Sequence, residues 1–157
     1  SNVKTYLFAF LFVAGNIALP QLCHLAPMGG PTLLPIYFFT LIAAYKFGFR
    51  VGLLTALLSP VVNHLLFGMP AVAALPVLLV KSGLLAGAAA LAARYTKKVS
   101  LIALLGVILT YQALGTAFEW ALCGNFFVAV QDFRIGVPGM LIQWFGGYAL
   151  LKAISKL

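Results

Sequence analysis

Long runs of mostly apolar residues make up the chain, and short clusters of glycine, proline and basic residues separate them. A helix needs roughly 20 apolar residues to cross a bilayer, so the pattern predicts a single all-α integral membrane domain with six transmembrane helices. Pro20 is expected to end the first helix, which we interpret as a span and not as a cleaved signal peptide. The predicted helices cover residues 5–19, 32–47, 51–67, 71–93, 99–121 and 135–152, and segment 122–134 has no assignment.

The composition excludes an ordinary soluble domain, because 64% of the 157 residues are hydrophobic and only 8% are charged. It also leaves no room for a built-in ATPase domain. The formal charge of +8 would suggest a nucleic-acid partner in a soluble protein, but in a membrane protein basic residues collect in cytoplasmic segments. With both termini cytoplasmic, the basic residues that fall on the inner side are Lys4, Lys46, Arg50, Arg94, Lys97, Lys98, Lys152 and Lys156. We therefore predict a multi-pass membrane protein with both termini in the cytoplasm and no nucleic-acid partner.

Lys81 is the most costly residue of the predicted layout, because it stands near the middle of the fourth helix. Counting inward from the outer ends places Gln112 and Gln143 at about the same depth, so the three side chains are candidates to line a substrate pocket. A structural hydrogen-bond cluster that ties three helices together is the alternative. Trp144 follows Gln143, and its indole is suited to stack on a flat ligand; placement in an interfacial belt is the alternative for this residue.

A second group of candidate substrate-binding residues lies nearer the outer side and comprises Asn16, Asn63, His64 and Glu119. Glu119 is expected to face the outer mouth. It could neutralise Lys81 only if a side chain or water bridged the difference in depth, since the two residues are more than two helical turns apart along the predicted axis. For His64 the simpler interpretation is a ring satisfied by a neighbouring carbonyl or headgroup.

The sequence offers little for metal or catalytic chemistry. Cys23 and His24 are adjacent and Cys123 is far along the chain, which is no zinc pattern. The two cysteines fall on the outer side, where they could pair in an oxidising compartment; axial ligation of a corrinoid or haem and free buried thiols are the alternatives. No nucleophile and base pair is visible, so we predict no enzyme activity, no cofactor and no resident metal.

Small residues at helical spacing mark two helices as surfaces for close packing. Ala14 and Ala18 form such a pair on the first helix, and Gly83, Gly87 and Ala90 form a stripe on the fourth. Small residues let helices approach closely within a bilayer. Packing inside this chain and docking of a second membrane subunit are both compatible with the spacing.

Several segments together resemble the substrate-binding S component of energy-coupling factor transporters. They are AGNIA at 14–18, GPTLLP at 30–35, KFGFRVGLL at 46–54 and LFGMP at 66–70, and the resemblance extends over nearly the whole chain. It implies a bacterial uptake module for a vitamin or cofactor precursor, with a site that opens outward and is lined by the outer halves of helices four to six and the first loop.

The resemblance also implies partners. In the family an AxxxA motif on the first helix meets the transmembrane T component, and Ala14 and Ala18 match that motif. Two cytoplasmic ATPases complete the complex, and the loaded S component is thought to topple in the membrane to release its substrate inward. A corrinoid bound through Cys23 or His24 is the alternative substrate, and a membrane assembly or scaffold protein is the alternative function.

Overall fold

A computed structural model describes residues 2–23, 25, 34–68 and 70–155, and within these ranges the chain is helical without any strand. A 3₁₀ turn at Val72–Ala74 precedes α4, and a π-helical segment, Ile142–Gly146, separates the last two helices. The α-helices are α1 Asn2–Cys23, α2 Pro35–Phe47, α3 Phe49–Phe67, α4 Leu75–Thr96, α5 Leu101–Cys123, α6 Phe126–Ile135, α7 Val137–Leu141 and α8 Gly147–Ala153.

Four of the described helices are long and apolar enough to cross a membrane: Val3–Cys23, Phe49–Phe67, Val72–Thr96 and Leu101–Cys123. With 13 residues, α2 is shorter and extends over only about 20 Å at a rise of about 1.5 Å per residue. The predicted last helix is divided into α7, the π-helical segment and α8. The prediction of an all-α protein with membrane-spanning helices is confirmed to this extent, with four spans of sufficient length.

The short helix α2 lies at the centre of the molecule. Nine of its 13 residues are buried, and it packs against α1, α3, α4 and α8. Gly48 joins it to α3 with a φ of 96°, a conformation that glycine adopts without a steric penalty. One turn into α3, a Cβ at Gly52 would collide with the Cβ of Ala44, so this glycine lets the backbones of α2 and α3 approach closely.

The first helix does not end at Pro20, as the sequence predicted, but continues to Cys23 with the proline inside it. Proline has no N–H, so it leaves the carbonyl oxygen of Asn16 without its usual partner four residues on. The side chain of Asn63 supplies the missing donor, because its Nδ2 lies 3.0 Å from that oxygen. A hydrogen bond from a neighbouring helix thus allows α1 to continue past the proline.

The outer surface of the helices is apolar. On α1, Tyr6, Phe10 and Leu22 are each more than 60% exposed, and α4 and α5 carry similar exposed side chains. Such extensive apolar surface is typical of a protein whose solvent is lipid. The buried core is formed mainly by one face each of α4 and α5 together with α2.

Candidate functional site

A cavity of about 560 Å³ opens where the ends of five helices meet. The C-terminal ends of α1, α3 and α5 and the N-terminal ends of α2 and α4 surround it, so one end of the helix bundle forms the whole site. Its described lining consists of Pro20, Leu34, Pro35, Ile36, Tyr37, Asn63, Pro70, Ala73, Ala74, Val77, Leu78, Lys81, Gln112, Glu119, Leu122 and Cys123. Most of these residues are apolar, and the polar ones lie on α3, α4 and α5.

Lys81 and Glu119 form an ion pair in the wall of the cavity. The Lys81 Nζ donates to the Glu119 Oε1 at 3.1 Å, and each residue is only 7% exposed. Within the described parts of the chain, Glu119 is the one acceptor that the ammonium group contacts. Glu119 therefore neutralises Lys81, and the lysine side chain bridges the difference in depth, which was the stated condition for this pairing.

The predicted difference in depth between Lys81 and Glu119 was too large, because the predicted helix ends differ from those of the structure. In the structure α4 begins at Leu75, after a 3₁₀ turn, and α5 continues to Cys123. Lys81 is then six residues from its helix end and Glu119 four residues from its own. Both residues therefore lie within two turns of the helix ends at the cavity, and the flexible lysine side chain spans the remaining distance.

Gly115 makes room for the lysine side chain on α5. A Cβ at this position would lie 2.5 Å from the Cγ of Lys81 and 3.1 Å from its Cε. The alkyl chain of Lys81 therefore crosses the surface of α5 directly over Gly115 before its ammonium group reaches Glu119. Because Gly115 and Glu119 are four residues apart, both lie on the face of α5 that meets α4.

Asn63 lines the cavity, whereas Asn16 lies behind it as the centre of a polar cluster. The Nδ2 of Asn16 lies 3.1 Å from Thr40 Oγ1 and 2.9 Å from Ser59 Oγ, and its Oδ1 accepts from the backbone N–H of Phe39. These bonds join α1, α2 and α3. The Oδ1 of Asn63 is buried without a hydrogen-bond partner in the described structure.

Gln112 and Gln143 are brought together through a residue that the sequence analysis did not select, Tyr111. The Tyr111 hydroxyl donates to Gln143 Oε1 at 2.5 Å and accepts from Gln112 Nε2 at 3.0 Å. Gln112 reaches the cavity, whereas Gln143 is absent from its described lining. This part of the arrangement matches the structural alternative, a hydrogen-bond cluster that ties α5 to the π-helical segment.

Trp144 and His64 also lie outside the described lining of the cavity. The Trp144 Nε1 donates to the carbonyl oxygen of Leu101 at 2.8 Å, which places the indole at the opposite end of α5 from Glu119. The His64 Nδ1 lies 2.8 Å from the carbonyl oxygen of Pro70. A neighbouring carbonyl thus satisfies His64, as the simpler interpretation stated.

Both cysteines are free thiols. The possible disulfide between them is therefore not formed in this structure. Cys123 lies in the cavity lining, and Cys23 does not. His24, the other candidate ligand for a corrinoid, lies outside the described residues. No group of three or more metal-binding side chains occurs among the residues that the structure describes.

The small residues of α1 point away from the chain's own helices. Ala14 and Ala18 are both exposed, and they lie on a stripe with the exposed side chains of Leu11 and Leu22. Packing inside this chain therefore does not account for the pair. On α4, a Cβ at Gly83 would meet no atom within 4 Å, so this glycine also faces away from the bundle.

Sequence reasoning missed the apolar lining residues and also Tyr111 and Gly115, two residues that hold the polar side chains of the site. One pattern carried the information, because Tyr111, Gly115 and Glu119 follow each other at intervals of four and so share one helix face. Two polar residues and a glycine on one face of an otherwise apolar helix indicate a surface turned toward the protein. The same pattern would also have predicted that Glu119 faces α4.

The electrostatics of the cavity differ from those of a simple cationic pocket. Because Lys81 and Glu119 form an ion pair, the charged side chains of the described lining carry no net charge and include a donor and an acceptor. The remaining lining is mostly apolar, and the volume is within the range of about 300–1,000 Å³ that is typical of small-molecule sites. The arrangement is suited to bind a small neutral or zwitterionic molecule.

No family model, curated protein or solved structure matches the chain.

Proposed function

We propose that this protein captures a small vitamin or cofactor precursor as the S component of an energy-coupling factor importer. The observation that carries the proposal is the cavity of about 560 Å³ with a buried Lys81–Glu119 pair in its wall. Ionisable groups within a membrane are costly and in most cases serve a function. The choice of family rests on the resemblance of the sequence motifs, and the cavity is the proposed binding site for the substrate.

The geometry favours one class of ligand over the one that Lys81 alone suggested. An unpaired ammonium group would select an anion, whereas the ion pair selects a molecule that offers both an acceptor to Lys81 and a donor to Glu119. We infer a neutral or zwitterionic compound with an apolar body that contacts Val77, Leu78 and Leu122. The polar side chains of Gln112 and Asn63 are the further candidates for contacts with its edge.

In the proposed topology the chain crosses the membrane six times with both termini in the cytoplasm. The two shorter crossings are α2, extended by the residues before it, and the stretch from α7 to α8. The cavity then opens outward, because the opposite ends of the helices carry Lys46, Lys97, Lys98 and Lys152, and basic residues favour the cytoplasmic side.

The exposed pair Ala14 and Ala18 is the proposed contact with the T component, and two separate ATPases would supply the energy. A helix with exposed small residues permits close approach of a second helix in the bilayer. The toppling of the loaded subunit is consistent with an outer surface that is largely apolar. In this proposal the chain itself has no enzyme activity.

The direct test measures the melting temperature of the detergent-purified protein in the presence of each compound of a panel. The panel contains riboflavin, biotin, pantothenate, a queuine-like base and a corrinoid. A ligand that binds only the folded protein stabilises it by about 2.7 kcal/mol at a concentration 100 times its Kd. We expect one compound of the panel to raise the melting temperature of the protein.

Two variants serve as controls for the site. Lys81→Met/Glu119→Gln removes both charges together and is expected to fold but to lose the ligand-induced shift. Trp144→Phe changes a residue of the π-helical segment that contacts the opposite end of α5. This variant is expected to keep the ligand-induced shift. If no compound shifts the melting temperature, or if the double variant responds as the wild type does, the pair only fastens α4 to α5 and the assembly or scaffold function is favoured.

A further inference from the structure

A second cavity, of about 360 Å³, lies at the opposite end of the helix bundle from the ion pair. The C-terminal ends of α2, α4 and α8 and the connection between α4 and α5 surround it. Its described lining contains Tyr45, Lys46, Ala93, Lys97, Lys98, Val99, Leu151, Lys152 and Ser155. We call it the lysine cavity, because four of these nine residues are lysines.

The lysine cavity has no acidic side chain in its described lining. The whole chain holds two acidic residues; Glu119 is paired with Lys81 in the other cavity, and Asp132 belongs to α6, which follows the opposite end of α5. The ammonium groups therefore have no internal carboxylate among the described residues. An anion from outside the chain is the natural counter-charge.

Two of the lysines already have partners that hold them at the cavity. The Lys46 Nζ donates to the carbonyl oxygen of Ser155 at 3.2 Å, and the Lys152 Nζ lies 5.7 Å from the ring centroid of Tyr148. Within the described chain, the ammonium groups of Lys97 and Lys98 have no hydrogen-bond acceptor. These two groups are free to bind an anion.

Hydrogen bonds from the buried Tyr45 and from Thr96 hold the backbone that carries Lys97 and Lys98. The Tyr45 hydroxyl donates to the carbonyl oxygen of Lys98 at 2.6 Å, and Thr96 Oγ1 donates to the same oxygen at 3.1 Å. Lys97 itself has a φ of 57°, in the left-handed region, where a residue with a Cβ costs about 1–2 kcal/mol. In α3 and α5 a glycine occupies the corresponding position, at Gly68 and Gly124.

We propose that the lysine cavity binds a phosphate group, and that the phosphate belongs to the headgroup of an anionic phospholipid of the surrounding leaflet. Lysine binds phosphate as a point charge, and basic pockets between transmembrane helices on the cytoplasmic side bind anionic headgroups. In the proposed topology the site lies where the cytoplasmic ends of the helices meet the headgroup region, so the acyl chains would lie along the exposed side chains of the bundle. This binding is independent of the substrate proposed for the other cavity.

The test compares three additives on the delipidated, detergent-purified protein: phosphatidylglycerol, phosphatidylcholine and inorganic phosphate. Thermal stability is measured over a concentration series at low ionic strength. We expect phosphatidylglycerol to stabilise the protein at concentrations at least tenfold lower than phosphatidylcholine. Stabilisation by inorganic phosphate at the same concentrations as phosphatidylglycerol would support the phosphate site but overturn the headgroup as its source.

Matched variants locate the effect. Lys97→Asn/Lys98→Gln removes two charges from the cavity, with asparagine chosen because it tolerates the left-handed conformation. Arg50→Gln/Arg94→Gln removes two charges from the same end of the bundle but outside the described lining. We expect the lysine variant to lose about thirtyfold in apparent affinity for phosphatidylglycerol and the arginine variant to lose little. Lys97→Arg/Lys98→Arg should retain binding.

Equal losses in the lysine and arginine variants would overturn the proposal, because they would show that the total charge of this end, and not the cavity, attracts the lipid. An equal response of the wild type to phosphatidylglycerol and phosphatidylcholine would overturn it as well. Each variant's melting temperature without additive shows whether it folds, and the arginine-for-lysine variant keeps the test valid if the neutral one does not.

Discussion

At Lys81 a buried ammonium group is tolerated because one carboxylate and one missing side chain accommodate it. Glu119 neutralises the charge at 3.1 Å, and Gly115 leaves the space through which the alkyl chain passes. Burial of a charge is expensive unless it is paired. The chain meets that cost locally, with residues on one face of α5, and it places the resulting donor and acceptor in the wall of a cavity.

We expect Lys81→Met to destabilise the protein by about 3–5 kcal/mol, since it removes the cation that neutralises the buried Glu119 carboxylate. Lys81→Met/Glu119→Gln should recover roughly half of that loss, because it removes the negative charge as well. Chemical unfolding in detergent micelles measures both values. A Lys81→Met variant as stable as the wild type would show that the ion pair contributes nothing to folding.

Gly115→Ala is expected to cost about 1–3 kcal/mol, because the new Cβ overlaps the Lys81 side chain and overpacks the contact between α4 and α5. Gly106→Ala on the same helix is the control, since a Cβ there meets no atom within 4 Å. It should be neutral or slightly stabilising. The melting temperatures of the two variants and the wild type are measured under one condition. Equal changes in the two variants would contradict this account.

At the scale of the elements, a proline and an asparagine on different helices depend on each other. Pro20 removes one backbone donor from α1, and Asn63 of α3 replaces it through its hydrogen bond to the carbonyl oxygen of Asn16. Asn63 also donates to the carbonyl oxygen of Ser59 at 2.7 Å in its own helix. The contact joins α1 to α3 beside the cavity that contains the Lys81–Glu119 pair, whose described lining includes both Pro20 and Asn63.

A double-mutant cycle tests this dependence. Asn63→Ala should cost about 1–3 kcal/mol because it leaves the Asn16 carbonyl oxygen buried without a donor. Pro20→Ala restores a backbone N–H to α1, so Asn63→Ala should cost less in that background. The free energies of unfolding of the four proteins give the coupling, and strictly additive losses would show that Pro20 and Asn63 act independently.

At the scale of the whole molecule, the two ends of the bundle have opposite chemistry. The cavity at one end contains a neutral ion pair, and the cavity at the other end contains four lysines. The apolar surface between them includes the exposed pair Ala14 and Ala18. This polarity supports an orientation with the ion pair outside and the lysines inside the cell.

Ala14→Trp/Ala18→Trp is expected to abolish uptake of the ligand in cells while the purified protein still folds and binds it, because the bulky side chains block close approach of a partner helix. Ala113→Trp/Ala117→Trp is the matched control, with an exposed alanine pair at the same spacing on α5. Uptake in the control should remain close to wild type. Equal effects of the two substitutions, or none, would contradict a partner contact at α1.

Much of the fold could be predicted from the apolar runs, but the helix ends could not. Proline at position 20 suggested a helix end because its effect on the hydrogen-bond ladder is local, whereas its compensation by Asn63 comes from a distant part of the chain. The same holds at Val72–Ala74, where a 3₁₀ turn delays the start of α4. These small shifts of the ends changed the inferred relative height of Lys81 and Glu119.

The candidate site was predicted in part. Lys81, Gln112, Glu119 and Asn63 line one cavity, whereas Gln143, Trp144, His64 and Asn16 make their contacts elsewhere. Depth along a helix can be estimated by counting residues, but the direction of a side chain around the helix axis cannot. In helices that are apolar on nearly every side, no amphipathic pattern tells the inner face from the outer one.

The sequence by itself determined that the chain forms long apolar helices with basic residues near one set of ends, because backbone hydrogen bonds and side-chain polarity act locally and require helices in a membrane. Only the tertiary structure decided which polar residues meet. The pairing of Lys81 with Glu119, the tyrosine between two glutamines and the grouping of four lysines depend on the rotation and relative height of packed helices. Packing contacts between distant segments set those two quantities.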